Sequence, residues 1–339
     1  MQFCASMPLS PRFAPLFCPR TSLKSLMING LKALWKGYAS EQLERALQES
    51  NRGRGIALDF DNTCIVGDTG ELLHLHLSEN LAWDLHSFAA QIAPEDGQAT
   101  LLRLIEAYEA GDDVHDELTE ELILAFPRRL RRTGAPATYA WATGLHAGTD
   151  VFDLRHRALL MLTHEAEQER TRQEIAPGKP EALSIWRGLR SRPALEGLVR
   201  AAEIQGLSPW IISATNEWTV AMAASDFDIP PERVIGNRSL VRDDIILAER
   251  DSPVTWRHGK VQAYERYVSS TERPALAVGD SWTDFELLEF ADDAILIDRG
   301  DERLQQEAAS RGWGIVPADV LDTVKWGTLR RQRAEKDTR

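Results

Sequence analysis

The stretch Ile56-Ala57-Leu58-Asp59-Phe60-Asp61-Asn62-Thr63 constrains this chain most: an apolar run of strand formers stops abruptly at two carboxylates two residues apart. In an open parallel sheet, ligands sit just beyond the carboxyl ends of the strands, so acids placed there face a crevice and not the core. Alternation along an extended segment turns Asp59 and Asp61 to one side and Phe60 to the other. One carboxylate is then placed to attack and its neighbour to move a proton. The same residues also suit a strand that simply ends in a turn, because Asp and Asn favour turns.

Further on, strand-like segments alternate with helical ones. Trp210-Ile-Ile212, Val234-Ile235, Ala275 to Val278, Ala294 to Ile297 and Gly314-Ile-Val316 read as short buried strands, with helical periodicity between most of them. Such alternation predicts an α/β fold, a doubly wound Rossmann-like parallel sheet. A helix is expected to start at Ser191-Arg-Pro193, with proline in its first turn. Ser239 to Leu247 reads as a small hairpin. One or two helices are expected from Ile28 to about Glu49.

Between the first strand and the rest, residues 71 to 190 read almost wholly as helix, with no obvious strand. Leu101, Leu104, Ile105 and Tyr108 form one apolar face; Val114, Leu118, Leu122 and Phe126 form another, ended by Pro127. A third runs from about Phe152 to His164. The basic run Arg128 to Arg132 and the segment Thr133 to Pro136 read as exposed connections. The expected organisation is an N-terminal extension over 1–27, an α/β core over 28–70 and 191–325, a large, mostly α-helical cap over 71–190 inserted after the first core strand, and a charged tail over 326–339, frayed from Arg330.

With 339 residues and 43% hydrophobic content, the chain can bury a large core. Its net charge of −13 argues against a general nucleic-acid or anionic-membrane binder, since both need a positive field. An acidic protein handling an anion must concentrate positive charge locally, and a divalent cation does so. Cys4, Cys18 and Cys64 are too few for a disulfide framework, which places the chain in the cytoplasm with reduced thiols. No stretch approaches the length of a membrane span. Residues 1–40 lack acids and carry Arg12, Arg20, Lys24, Lys32 and Lys36, which fits a targeting segment, a disordered extension, or upstream sequence if translation begins at Met27.

Three further signals follow Asp59 and Asp61. Ser213 comes directly after Trp210-Ile-Ile212, where a hydroxyl and nearby backbone N–H groups suit a phosphate oxygen, with helix capping as the lesser alternative. Lys260, in His258-Gly259-Lys260, is a cation just inside a helix, or a surface lysine. Gly279-Asp280-Ser281-Trp282-Thr283-Asp284 offers two more carboxylates after the strand at 275–278. Acids at two strand ends gather into a hard-oxygen site of the kind that suits Mg²⁺.

These residues, in this order, resemble the haloacid dehalogenase superfamily of phosphohydrolases, and DFDNT followed by an acid is similar to its phosphoserine- and phosphocholine-phosphatase-like branch. The resemblance implies that Asp59 is the nucleophile and forms an aspartyl phosphate, with Asp61 as acid and then base. It further implies Mg²⁺ held by Asp59, the backbone carbonyl of Asp61 and Asp280, with Asp284 behind or binding directly, while Ser213 and Lys260 grip the phosphoryl oxygens. Asp68 takes the position of an acid that faces the substrate's amino group in that branch, or else is a turn residue. The implied activity is hydrolysis of a small, possibly amino-bearing phosphomonoester. Alternatives are transfer of the phosphoryl group to a second alcohol, or a non-catalytic partner-binding role. His74 and His76 have unsuitable spacing for a metal, Cys64 reads as packing, Arg155 and Arg157 as surface residues or carboxylate readers, and Trp282 equally as lining the entrance or as packing in its loop.

Overall fold

The computed structural model describes residues 23–251 and 253–338. Six parallel strands form the central sheet: β1 (Gly55–Leu58), β2 (Ser208–Asn216), β3 (Val234–Asn237), β4 (Leu276–Gly279), β5 (Ala294–Asp298) and β6 (Gly314–Pro317). Their order across the sheet is β6-β5-β4-β1-β2-β3. The chain thus builds outward from β1 on one side, then returns to β1 and builds outward on the other, which is the doubly wound order. The point of reversal lies between β1 and β4, and register there pairs Leu58 with Val278.

Side-chain alternation splits the core in two. Ile56, Leu58, Ile211, Leu276 and Val278 pack on one face with Leu195 and Leu198 of the helix Pro193–Ile204. Ala57, Ile212, Ala277 and Ala294 pack on the other with Ala263 and Tyr264 of the helix His258–Tyr267. Because both faces are covered, β1 and β4 are buried at every residue, so they read in sequence as continuous apolar runs.

The cap fills the chain between β1 and β2. Its helices are Thr69–Glu79, Leu85–Ala90, Gln98–Glu109, His115–Thr133, Ala135–Gly144 and Val151–Glu167. It has a small core of its own, with Phe88, Leu101, Ile105, Leu118, Leu122 and Leu145 at its centre. Ile65–Val66, entering the cap, and Arg190–Ser191, leaving it, pair as antiparallel strands, and Val324–Lys325 adds a third on the far side of Arg190–Ser191.

Several expectations need correction. Residues 71–190 are not strand-free: Arg172–Ile175 and Leu183–Trp186 form an antiparallel hairpin. Four-residue strands around a turn that contains Pro177, Gly178 and Pro180 give too short a pattern to distinguish from loop. The helix over His115–Thr133 passes through Pro127 and includes the basic run. The missing N–H costs one helical bond, but Arg128 pairs with Glu121 and Arg132 with the buried Asp96, anchoring the C-terminal half. Residues 326–338 are not a loose tail. Trp326 and Leu329 are buried, the indole donates to the Ala223 carbonyl, and Arg333 pairs with Glu196. At the other end, the expected extension lies outside the described residues up to position 22. Helix Leu23–Leu34 crosses its expected end, with Met27 packed against the core. The hairpin Ser239–Arg242/Ile245–Arg250 forms as expected.

Candidate active site

Asp59 leaves β1 with its amide still donating to the Val278 carbonyl, so the sheet fixes its backbone. Phe60 turns into the core against Phe227, as alternation requires, while Asp59 and Asp61 both line one cavity of about 250 Å³ at the point of strand reversal. Asp59 Oδ1 accepts from Lys260 Nζ at 2.6 Å, and Oδ2 accepts from Thr63 Oγ1 at 2.8 Å. Lys260 is fully buried and also donates to Asp284 Oδ1 at 2.5 Å. It is therefore a buried ammonium shared by two carboxylates, not a surface lysine.

Thr63 Oγ1 lies 3.2 Å from Asp280 Oδ1, and Arg299 donates to Asp280 Oδ2 at 2.8 Å. Asp284 stands at the start of the helix Phe285–Phe290 but does not cap it. Instead its Oδ2 turns back to accept the amides of Asp280 at 3.0 Å and Ser281 at 3.1 Å, closing the loop after β4 around Lys260. Carboxylate oxygens of Asp59, Asp280 and Asp284 all lie within 4.8 Å of one another. The carbonyl of Asp61 accepts no hydrogen bond among the described residues.

Asp61 is held by four donors. Oδ1 accepts from the Thr69 amide at 2.7 Å and the Thr69 hydroxyl at 2.8 Å; Oδ2 accepts from Thr215 Oγ1 at 2.7 Å and Ser213 Oγ at 3.4 Å. Ser213 does not cap the next helix, because Asn216 does, accepting the Thr219 amide. The end of β2 is tied down by Thr255, which donates to the Ser213 carbonyl, and by Asn237, which donates to that of Ala214. Asp68 lines the cavity and also caps the helix Thr69–Glu79 through the Glu71 amide.

Burial raises the pKa of Asp59 to about 7, with the charge of Asp284 adding to it and Lys260 opposing. Burial likewise raises Asp61 to about 7, helped by Asp68 and opposed by the Thr69 and Thr215 bonds. Asp68 is lifted to about 7 by burial and by Glu71, and Asp280 well above its ordinary value by burial, Asp59 and Asp284. For Lys260, burial disfavours the charge, but Asp284 and Asp59 outweigh it and raise the pKa. Five carboxylates line the cavity, those of Asp59, Asp61, Asp68, Glu71 and Asp280, against the single guanidinium of Arg299. Carboxylate oxygens so crowded, with those of Asp59 and Asp280 buried, fit a hard divalent cation.

The cap closes the cavity with Trp83, Phe126, Tyr139, His74 and His146. His74 bonds the Leu122 carbonyl at 3.0 Å through Nε2, and burial lowers its pKa to about 4. His146, stacked on Trp83, is lowered to about 3 by burial and by the neighbouring His74 and Arg157. Cys64 packs beneath Asp59, donating to its carbonyl. Trp282 is not at the entrance: its indole bonds Asp301 and its ring stacks on Phe285. Arg155 is exposed, and Arg157 pairs with Asp153 and bonds the Ala82 carbonyl, so neither reaches the cavity. Thr63, Thr69, Thr215, Glu71 and Arg299 went unrecognised in the sequence, although Thr215 is the penultimate residue of β2, Arg299 directly follows β5 and Thr63 closes the loop after β1.

No protein-family model and no curated protein matches the sequence. Solved structures do. A conserved, functionally unknown protein from Anaerococcus prevotii matches at 21% identity and a TM-score of 0.66, covering 86% of this chain and 90% of its own. A protein of unknown function from Bordetella pertussis matches at 16% identity and a TM-score of 0.50, covering 79% and 99%. A phosphoserine phosphohydrolase-like protein from Francisella tularensis matches at 16% identity, covering 72% and 86%, with a TM-score of 0.35 that carries no weight. A sheet wound outward from β1 in both directions, a cap inserted directly after β1, and Asp59, Ser213, Lys260 and Asp280 meeting where the winding reverses decide the architecture. The chain has a doubly wound, Rossmann-like α/β fold with an inserted, mostly helical cap. The cap sits over the strand ends, where the helices Thr69–Glu79, His115–Thr133 and Ala135–Gly144 supply one wall of the cavity.

Proposed function

We propose that this chain is a divalent-cation-dependent phosphomonoester hydrolase that works through a phosphoryl group carried on Asp59. The observation that carries this reading is the meeting of Asp59, Asp61, Ser213, Lys260 and Asp280 at one end of the sheet, from four separate stretches of sequence. Asp59, Asp280 and the Asp61 carbonyl, with Asp284 behind, would hold Mg²⁺. Bound there, the ion would offset the charge of the phosphoryl group against an attacking carboxylate.

The chain's own residues account for the remaining roles. Thr63 and Lys260 fix both oxygens of Asp59 and so set the direction from which it attacks. Asp61 gives a proton to the departing alkoxide and then takes one from water. Ser213 and Lys260 neutralise and orient the phosphoryl oxygens, and the cap keeps bulk water out. Asp68 and Glu71, beside Trp83, Phe126 and Tyr139, make a wall that favours a cationic group in the alcohol part, so the preferred substrate class is a small amino-bearing phosphomonoester.

The test is free-phosphate release from phosphoserine, phosphoethanolamine, phosphocholine, sugar phosphates and nucleoside monophosphates, with and without Mg²⁺. Metal-dependent release that disappears in Asp59→Asn is expected, strongest for the amino-bearing esters. A folded wild type that releases phosphate from none of these, nor from an aryl phosphate, refutes the reading.

A further inference from the structure

The two oxygens of Asp61 have different partners, and the difference is chemical. Oδ1 accepts from the Thr69 amide at 2.7 Å and the Thr69 hydroxyl at 2.8 Å, and an amide N–H can only donate. A proton placed on Oδ1 would make it a much poorer acceptor for these two donors. Oδ2 faces only hydroxyls, those of Thr215 at 2.7 Å and Ser213 at 3.4 Å. A hydroxyl donates or accepts as needed, so Oδ2 is tolerated either ionised or protonated. Ser213 also marks the side on which the phosphoryl group is proposed to sit.

We propose that Thr69 pins Oδ1 as the oxygen that stays unprotonated, and that Oδ2, held by Thr215, is the one that carries the catalytic proton. Thr69 and Thr215 are thus positioning residues for the acid. The assignment rests on the phosphatase reading above. In the first half of the reaction Asp59 bonds to phosphorus, the ester P–O bond breaks, and the alkoxide takes the proton from Oδ2. In the second half, Oδ2 takes a proton from water as the water oxygen bonds to phosphorus and the bond to Asp59 breaks. The proton balance closes with no further reactant.

Where Thr69 sits adds a coupling. It is the first residue of the first cap helix, directly after its capping residue Asp68, and it is fully buried, so water cannot replace it. The nucleophile takes its orientation from the sheet, whereas the acid takes half of its orientation from the cap. A cap displaced from the sheet therefore leaves Asp59 in place and frees Oδ1 of Asp61, with Oδ2 still held by Thr215.

The experiment compares two esters of similar shape whose leaving groups differ in their need for a proton: p-nitrophenyl phosphate, which leaves unaided, and benzyl phosphate, which does not. The readout is kcat/KM, which reports the steps up to loss of the alcohol, for wild type, Thr69→Val, Thr69→Ser and Thr215→Val, all with Mg²⁺. Thr69→Val, which keeps the amide on Oδ1 and removes the hydroxyl beside it, and Thr215→Val are expected to lower the benzyl ester by roughly tenfold, a part of what general acid catalysis supplies. The nitrophenyl ester should stay within about twofold, and Thr69→Ser should restore the benzyl ester. Equal losses on both esters, or no loss on either, overturn the assignment; Thr215→Val gives an independent answer if Thr69→Val fails to fold. A wild type inactive on both esters overturns the phosphatase reading and this assignment with it.

Discussion

Gly259 precedes Lys260 in the first turn of its helix, and a Cβ built there would lie 1.7 Å from the Val254 carbonyl oxygen. Real Cβ contacts do not fall below 3.0 Å, so alanine forces the helix start and the Val254 carbonyl apart by about 1.3 Å. Neither side yields easily. Thr255, next to Val254, is fully buried and bonds the carbonyl of Ser213, while the Arg257 amide donates to the Thr283 carbonyl. Lys260 reaches Asp59 and Asp284 at 2.6 and 2.5 Å, so a shift of this size breaks at least one contact. Helix propensity alone would make Gly259→Ala stabilising by roughly 1 kcal/mol; steric displacement predicts the opposite, a loss of about 1–3 kcal/mol. The expected fall in kcat is on the order of 100-fold, the usual consequence of moving a catalytic group by about 1 Å. Phosphate release from p-nitrophenyl phosphate and urea unfolding, with His258→Ala at the exposed neighbouring position as control, check both numbers. A folded Gly259→Ala enzyme with kcat within about threefold of wild type refutes the argument that Lys260 must sit where it does.

Lys260→Met leaves Asp59 and Asp284 buried without their ammonium, and urea unfolding in EDTA should show a loss of about 3–5 kcal/mol, partly recovered by Mg²⁺. His74 and His146 titrate at about 4 and about 3 in the folded chain, below their ordinary 6.5, so the unfolded chain binds more protons between those values. Their contribution is complete above pH 6.5 and falls as the solution is acidified, by about 2 kcal/mol each at pH 5. His146→Gln should therefore narrow the difference between urea midpoints at pH 7.5 and pH 5, and an unchanged difference contradicts this. Trp326→Ala should cost about 3–5 kcal/mol, readable by thermal melting; a shift near zero would mean that residues 326–338 contribute nothing to the fold.

The parts of this molecule that were legible in sequence share a cause. β1 and β4 are buried on both faces, so apolar character runs unbroken until the strand ends, and the first polar residues, Asp59 and Asp280, mark the crevice directly. Ser213 was legible for the same reason, although β2 continues past Ile212 to Asn216. What was hidden depends on contacts distant in sequence. Arg172–Ile175 and Leu183–Trp186 are strands only because each pairs with the other, and Pro127 stays helical because Asp96 and Glu121 hold the arginines beyond it. Trp83, Tyr139 and His146 have ordinary helical or loop surroundings in sequence; only the packing of several cap elements turns them toward one cavity. Likewise, nothing local in Trp326 distinguishes it from the charged residues that follow.

The short clasp of Ile65–Val66, Arg190–Ser191 and Val324–Lys325 makes the inserted region a side branch with a narrow base. A segment that leaves and rejoins at adjacent hydrogen-bonded positions puts little demand on the length of what lies between, because the ends are already closed. The 6-stranded sheet is therefore insulated from lengthening or shortening of the branch. Thr69, just inside the clasp, ties the branch to Asp61. The third strand of the clasp lies near the other end of the chain, so removing residues from position 324 onward strips one side of the hinge without touching a single residue of the cavity.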